Sequence, residues 1–128
     1  MDQDSRNGAT RRLVAYDGSS SARRALQHAA ALHRTGDDMG VIYVLEPGHE
    51  DGGYLAEALL ALSDRGIDAA AVARSGNPAR TICMAAERED YDTIVVGRRN
   101  VLDSGLLLLG SVASRVVAGA AGNVVVVA

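Results

Sequence analysis

The sequence contains no phenylalanine, no tryptophan and no lysine. Without the two large aromatic residues, the core has to be built from Val, Leu, Ile and Ala, a composition that suits Ala-lined helices packed closely on a Val-rich sheet. Because a P-loop places a lysine beside its glycine-rich turn, the absence of lysine excludes that phosphate-binding motif. Any phosphate site in this chain must therefore use backbone groups, helix dipoles and arginine.

Charge and cysteine content exclude further classes of protein. The formal net charge is −3, and all thirteen basic residues are arginines scattered along the chain, so there is no basic patch of the kind that binds nucleic acid. Cys83 is the single cysteine, and we interpret it as a small buried hydrophobe. No apolar run approaches the roughly eighteen residues of a membrane span, and the N-terminus lacks the apolar segment of a signal peptide. We expect a cytoplasmic protein that binds neither nucleic acid nor membranes.

Apolar runs alternate with segments of helical spacing along the 128 residues. Residues 1–10 are polar and predict a disordered N-terminal tail, which leaves residues 11–128 as one domain. The apolar runs predict five strands, at residues 13–16, 41–45, 67–72, 91–96 and 123–128. Asp37 and Asp38, which precede the second strand, we interpret as a solvated turn.

Four predicted helices separate these strands. Ser19 to Ser21 cap the first helix, which ends near Gly36, and Gly66 ends the second. Asn77 caps the third, with Pro78 at its first position. The spacing predicts these inward-facing residues: Ala22, Ala25, Leu26 and Ala29 in the first helix; Leu55, Ala58, Leu59 and Leu62 in the second; Ala79, Ile82, Cys83 and Ala86 in the third; and Ala113, Val116, Val117 and Ala120 in the fourth, which covers residues 112–120.

Alternation of this kind predicts a three-layer α/β/α fold, with a five-stranded parallel sheet and helices on both faces joined by right-handed crossovers. The pattern alone does not fix the strand order. In the order 3-2-1-4-5, which we expect, the first and fourth strands are neighbours, and Asp17 and Gly97 flank the crevice at the switch point.

Two stretches at the ends of predicted strands are candidates for a ligand site. Asp17 either orients a ribose hydroxyl or a hydrated metal ion, or it bonds nearby N–H groups as in an ordinary turn. Gly110 and Ser111 open the fourth helix, where unpaired N–H groups and the helix dipole can hold a phosphate, although Ser111 also suits a simple cap. Arg98 and Arg99 are either bidentate phosphate donors or solvated loop charges.

The chain resembles the universal stress protein family. The residues that carry the resemblance are 13–19 (LVAYDGS), 76–79 (GNPA), 94–99 (IVVGRR) and 105–112 (GLLLLGSV), and the match covers nearly everything after the tail. The nucleotide-binding members of that family carry Gly, two residues, Gly, nine residues, and then Gly followed by Ser or Thr. Here the spacing is intact, but Asn100 stands at the second glycine, between Gly97 and the Gly110-Ser111 pair.

The resemblance implies an adenine-nucleotide site, with ATP and Mg²⁺ as the expected ligands. Asp17 would lie near the ribose and a metal-bound water, and the backbone of Val44 would meet adenine. The remaining matched positions would surround the phosphates: Gly97, Asn100, Gly110, Ser111 and Val112. The resemblance also implies a homodimer, formed through the last strand at residues 124–127.

The Asn100 departure leaves more than one function open. Asn tolerates the positive φ for which glycine is favoured, but its side chain takes space near the phosphates, to which its amide can also donate. The first hypothesis is a sensor or regulator in which ATP orders the loop at residues 98–109. The second is a homodimeric interaction protein that binds no nucleotide. The third hypothesis, a slow ATPase, ranks lowest because no residue stands out as a catalytic base, and we predict no catalytic residue.

The remaining polar and apolar groups give no separate site. His28, His33 and His49 do not match the spacing of metal ligands, so no metal-binding residue is predicted. Leu106 to Leu109 either pack the loop onto the domain, line a dimer contact or close over a ligand, and the sequence does not separate these possibilities.

Overall fold

A computed structural model describes residues 8–45, 48, 52–98 and 110–128. Within them, strands and helices alternate as predicted: β1 (Arg11–Ala15), α1 (Ser20–Leu32), β2 (Asp38–Leu45), α2 (Tyr54–Ser63), β3 (Ala70–Ser75), α3 (Pro78–Arg88), β4 (Thr93–Gly97), α4 (Ser111–Gly119) and β5 (Asn123–Val127). The predicted tail lies largely outside these residues. Thr10, at its end, is already hydrogen-bonded to the fold, because its N–H donates to Asp37 Oδ1 over 2.9 Å.

The five strands form one parallel sheet in the order β3-β2-β1-β4-β5, which confirms the predicted topology. The chain moves outward from β1 in one direction through β2 and β3, and in the other through β4 and β5. In parallel sheets of this kind, ligands bind outside the carboxyl ends of the strands at the point where the direction reverses. Here that point lies between β1 and β4, beyond Ala15 and Gly97.

Helices cover both faces of the sheet. Successive strand residues point to opposite faces, so Val14 and Val95 pack with α1 and α2, while Leu13 and Ile94 pack with α3 and α4. All four predicted inward residues of α1 are buried, as are Ala58 and Leu62 of α2. The two apolar layers built mainly from Val, Leu, Ile and Ala confirm the core composition that the lack of Phe and Trp required.

Several predicted boundaries were wrong. The first helix ends at Leu32 rather than near Gly36, because the backbone turns at His33 and Asp37 N–H closes a turn onto Arg34. The third strand begins at Ala70 rather than residue 67, because Ile67 N–H still bonds Leu62 O at the end of α2. Gly66, with φ 77°, completes that helix end as predicted.

Two inferences about individual side chains were also wrong. Val117 is 49% exposed rather than inward, because α4 is covered only along a narrow stripe, at Ala113 and Val116. Asp37 is not a solvated turn residue. Its side chain is 5% exposed and accepts hydrogen bonds from Thr10 N–H, Arg34 N–H and the Arg12 guanidinium.

Candidate functional site

A cavity of about 370 Å³ lies at the carboxyl ends of β1, β2 and β4. Its volume falls within the range of roughly 300–1,000 Å³ that is typical of small-molecule sites. The cavity occupies the switch point, so the fold places it where an open parallel sheet binds ligands. These residues line it: Ala15, Tyr16, Asp17, Ser19, Ser21, Ala22, Ile42, Val44, Pro78, Ile82, Val96, Gly97, Gly110, Ser111, Val112 and Ala113.

The turn from β1 into α1 forms one rim of the cavity. Gly18 has a φ of +83°, which glycine adopts easily, and this turns the chain directly after Asp17. Ser19 N–H donates to Asp17 Oδ1 over 3.0 Å, and Ser19 Oγ accepts from Ala22 N–H over 3.1 Å. Ser19 is therefore the N-cap of α1, as predicted, and Asp17 is held at the rim as an exposed carboxylate.

Gly97 brings the end of β4 against the first turn of α1. A Cβ added to Gly97 would lie 2.5 Å from the carbonyl oxygen of Ser21 and would also collide with its hydroxyl. Because backbone cannot move aside as a flexible side chain can, only glycine fits at this position. The motif glycine thus has a packing role within the domain as well as its place in the cavity wall.

The start of α4 forms the opposite rim. Gly110 is the N-cap, with extended backbone, and it makes no side-chain capping hydrogen bond. Ser111 is the first helical residue, so it does not play the capping role that the sequence left open. The first N–H groups of an α-helix lack intrahelical partners and lie at the positive end of the dipole, an arrangement suited to an anion.

Apolar side chains form the rest of the wall. Ile42 and Val44 come from β2, Val96 from β4, and Pro78 and Ile82 from the beginning of α3. The cavity wall therefore divides into polar groups, at Asp17 and the start of α4, and apolar side chains, chiefly from β2 and α3. A molecule with a flat apolar part and an anionic part matches this division.

A hydrogen-bonded cluster holds Tyr16, which lines the cavity. The Tyr16 hydroxyl donates to Glu57 Oε2 over 2.5 Å, and Arg23 Nε donates to the same oxygen over 3.1 Å. Burial raises the pKa of Tyr16, and the hydrogen bond to Glu57 raises it further. The hydrogen bonds from Tyr16 and Arg23 lower the pKa of Glu57. The cluster joins the end of β1 to both α1 and α2.

Six of the eight predicted site residues line the cavity: Asp17, Val44, Gly97, Gly110, Ser111 and Val112. Arg98 is not among the lining residues, and its N–H donates to Val127 O over 2.7 Å. Asn100 and Leu106 to Leu109 lie outside the described residues, as does most of the loop at 98–109. The roles of the eight residues in binding stay predictions.

The sequence did not single out several residues of the wall. Ile82 was interpreted only as core, Pro78 only as the start of a helix, and Ser21 only as part of a cap. For Ser21, the sequence offered no local signal, because a serine in the first turn of a helix is an ordinary residue there.

The described part of the chain holds no group of three or more His, Cys, Asp or Glu side chains that could bind a metal ion. Among the same residues, no helix is both long and apolar enough to cross a membrane.

Comparison with known proteins places this geometry in context. A model of the Universal stress protein family matches residues 9–64 and 50–128. A universal stress protein of Thermus aquaticus is 36% identical over 124 residues, covering 84% of this chain and 90% of that protein. The structure of a universal stress protein from Archaeoglobus fulgidus superposes with a TM-score of 0.81 at 26% identity, covering 94% of this chain and 98% of the other.

Two further solved structures contain nucleotides. A universal stress protein in complex with cAMP has a TM-score of 0.69 at 25% identity, covering 93% of this chain and 97% of its own. A family member from Arabidopsis thaliana with AMP bound has a TM-score of 0.75 at 19% identity, covering 92% and 90%.

Proposed function

Because the chain belongs to the universal stress protein family, we propose that it is a stress-response sensor or regulator that binds an adenine nucleotide in the cavity. The observation that carries the proposal is the meeting of Asp17, Gly97 and the uncapped start of α4 at one crevice. The apolar side chains of the wall suit a purine base, and the start of α4 suits phosphate. Relatives of the same fold that hold AMP or cAMP support this assignment.

Within this proposal, Asp17 lies near the ribose, and the backbone of Val44 meets adenine. Gly97, Gly110, Ser111 and Val112 surround the phosphates. The resemblance adds Asn100 to this set, and the guanidinium of Arg98 is proposed as a further phosphate donor. No residue is assigned a catalytic role.

We further propose that the bound nucleotide is ATP together with Mg²⁺. Mg²⁺ is commonly held by one or two carboxylates together with substrate phosphates and water. Asp17 is the one carboxylate among the described residues that line the cavity, and it lies on the rim, so this donor set fits an ion that arrives with a nucleotide. Bound with ATP, the ion would neutralise phosphate charge, and Asp17 would hold its water.

Regulation would act through occupancy. A nucleotide that contacts both the turn after β1 and the start of α4 favours the arrangement in which these two rims face each other. The nucleotide shifts the protein toward that arrangement only as far as it binds that arrangement more tightly than others.

We also propose a cytoplasmic location. The cytoplasm is a reducing compartment, in which a cysteine such as Cys83 stays a free thiol.

Titration calorimetry tests the binding proposal. We expect AMP and ATP with Mg²⁺ to bind the native protein, and Asp17→Ala to weaken AMP binding about tenfold, the effect of losing one hydrogen bond to a charged group. Asp17→Ala should also abolish any gain in ATP affinity on adding Mg²⁺. Asp68→Ala removes an exposed carboxylate that is not part of the cavity wall and serves as the matched control.

The second candidate is a homodimeric interaction protein without a nucleotide. The specific observation in its favour is Asn100 at the motif's second glycine. Native protein that binds neither nucleotide, together with binding after Asn100→Gly, would overturn the first candidate and support the second.

Both candidates include a homodimer formed through β5. Val124, Val125, Val126 and Val127 are all only half-buried, although each packs on one of the two cores. Among the described strands, β5 pairs with β4 alone, which leaves its other edge available to a second copy.

A further inference from the structure

The Ser21 hydroxyl is a polar group without a hydrogen-bond partner in the described part of the chain. Ser21 is the second residue of α1, is 5% exposed and lines the cavity. Its Oγ is buried and lies against Gly97, at the end of β4. Buried hydroxyls are almost always hydrogen-bonded, because the loss of hydration is otherwise uncompensated. An unsatisfied hydroxyl in the wall of a cavity points to a partner that occupies the cavity.

Internal packing does not explain why a hydroxyl is present. Alanine would fill the Ser21 position with the same Cβ, would favour the helix and would leave no polar atom unsatisfied. The hydroxyls of the two preceding serines are not left buried without a partner. Ser19 caps Ala22 N–H, and the side chain of Ser20 is exposed.

Two helix N-termini converge on the cavity beside this hydroxyl. α1 has 13 residues and contributes Ser19, Ser21 and Ala22 to the wall, while α4 has 9 residues and contributes its first turn. Both present the positive ends of their dipoles, so the space between them favours negative charge. The nearest carboxylate in the wall is that of Asp17, and its Oδ1 accepts from Ser19 N–H.

We propose that the Ser21 hydroxyl donates a hydrogen bond to a phosphoryl oxygen of the bound nucleotide, so that α1 as well as α4 recognises the phosphate. This inference rests on the proposed function and adds to it a residue that separates phosphorylated nucleotides from nucleosides. A hydroxyl that donates to an anionic oxygen makes a short, charge-assisted bond, which a nucleoside cannot offer at that position.

The test compares AMP with adenosine by titration calorimetry on the native protein, Ser21→Ala and Ser20→Ala. Ser20→Ala is the matched control, since it makes the same change on an exposed neighbour in the same turn. Ser21→Ala should weaken AMP binding about tenfold and leave adenosine binding within about twofold, while Ser20→Ala changes neither. Without ligand, Ser21→Ala should melt no lower than the native protein, because an unsatisfied hydroxyl has been removed.

The other outcomes separate this inference from the proposed function. Equal weakening of AMP and adenosine would show that the hydroxyl contacts the nucleoside, and unchanged AMP binding would show that it does not contact the nucleotide; each overturns the inference and leaves the proposed function intact. A lower melting temperature of unliganded Ser21→Ala would reveal an internal partner and also overturn it. A native protein that binds neither ligand would overturn the proposed function, and this inference with it.

Discussion

At the scale of single residues, Asp37 is the clearest link between burial and charge. Burial alone would raise its pKa, but the hydrogen bonds from Thr10 N–H, the Arg12 guanidinium and Arg34 N–H outweigh this effect and lower it. A carboxyl with a lowered pKa in the folded state stabilises the fold at pH values above its unfolded pKa, near 4. That stabilisation is lost as the pH falls below this value toward the folded pKa.

Asp37→Asn should therefore lower the free energy of unfolding by roughly 1–3 kcal/mol at pH 7, since the amide cannot satisfy the same three donors. The difference from the native protein should shrink as the pH falls below about 4, because the unfolded state then binds a proton at this carboxyl, and the native state does so only at a lower pH. Urea denaturation between pH 3 and pH 7 measures this, with the exposed Asp68→Asn as control. A difference that stays constant with pH would show that the charge of Asp37 does not contribute.

The sequence could not identify the role of Asp37, because two of its three partners, Thr10 and Arg12, precede α1 in the chain. The same limit applies to Ser21 and Gly97. Each has an ordinary local interpretation, as cap or motif glycine, and only the packing of α1 against β4 brings them together. Asp17, by contrast, was predictable because its position directly after a buried strand fixes its place at the carboxyl edge.

At the scale of secondary-structure elements, one hydrogen-bonded cluster connects the cavity wall to two helices. It joins Tyr16 of the wall to Arg23 of α1 and Glu57 of α2. The hydrogen bond from Tyr16 is the largest cause of the lowered pKa of Glu57. Tyr16→Phe should therefore raise the pKa of Glu57 toward its ordinary value, and NMR titration of the carboxyl signal measures it. The exposed Tyr54→Phe is the matched control, and a pKa that moves in neither variant would contradict the assigned hydrogen bond.

Element types and their order were predictable because apolar spacing distinguishes strands from helices. Boundaries were less so, since they depend on where the last backbone hydrogen bond of one element forms. At the end of α2, the bond from Ile67 N–H to Leu62 O delays β3 by three residues relative to the apolar run. The outward position of Val117 likewise depends on how much of α4 its neighbours cover, which helical periodicity alone does not define.

At the scale of the whole molecule, the proposed homodimer makes β5 the surface to test. Val126→Lys places a charge on a half-buried edge strand and should shift the protein from dimer to monomer in sedimentation velocity. Val117→Lys makes the same change on the exposed face of α4 and should leave the dimer intact. Dissociation by Val117→Lys alone would move the interface to α4, and a monomeric native protein would contradict the homodimer.

The overall topology and the location of the crevice were predictable because alternation of strands and helices strongly restricts how a parallel sheet can be built. The apolar pattern left the strand order open, and the order that we expected was the doubly wound one, which places a crevice between the first and fourth strands. Occupancy of the crevice was not predictable in the same way. It depends on the shape of a wall to which β1, β2, β4, α1, α3 and α4 all contribute, and the apolar pattern does not define that shape.

The short bond from Arg98 N–H to Val127 O extends the sheet pairing between β4 and β5 by one step past Gly97. This bond links Arg98, the residue after Gly97 of the cavity wall, to β5. Thermodynamic linkage is symmetric. If the docking of a second copy alters this hydrogen bond and so changes the affinity for nucleotide by some factor, nucleotide changes the dimerisation constant by the same factor. In the proposed dimer, this one backbone contact would couple the bound nucleotide to the subunit interface.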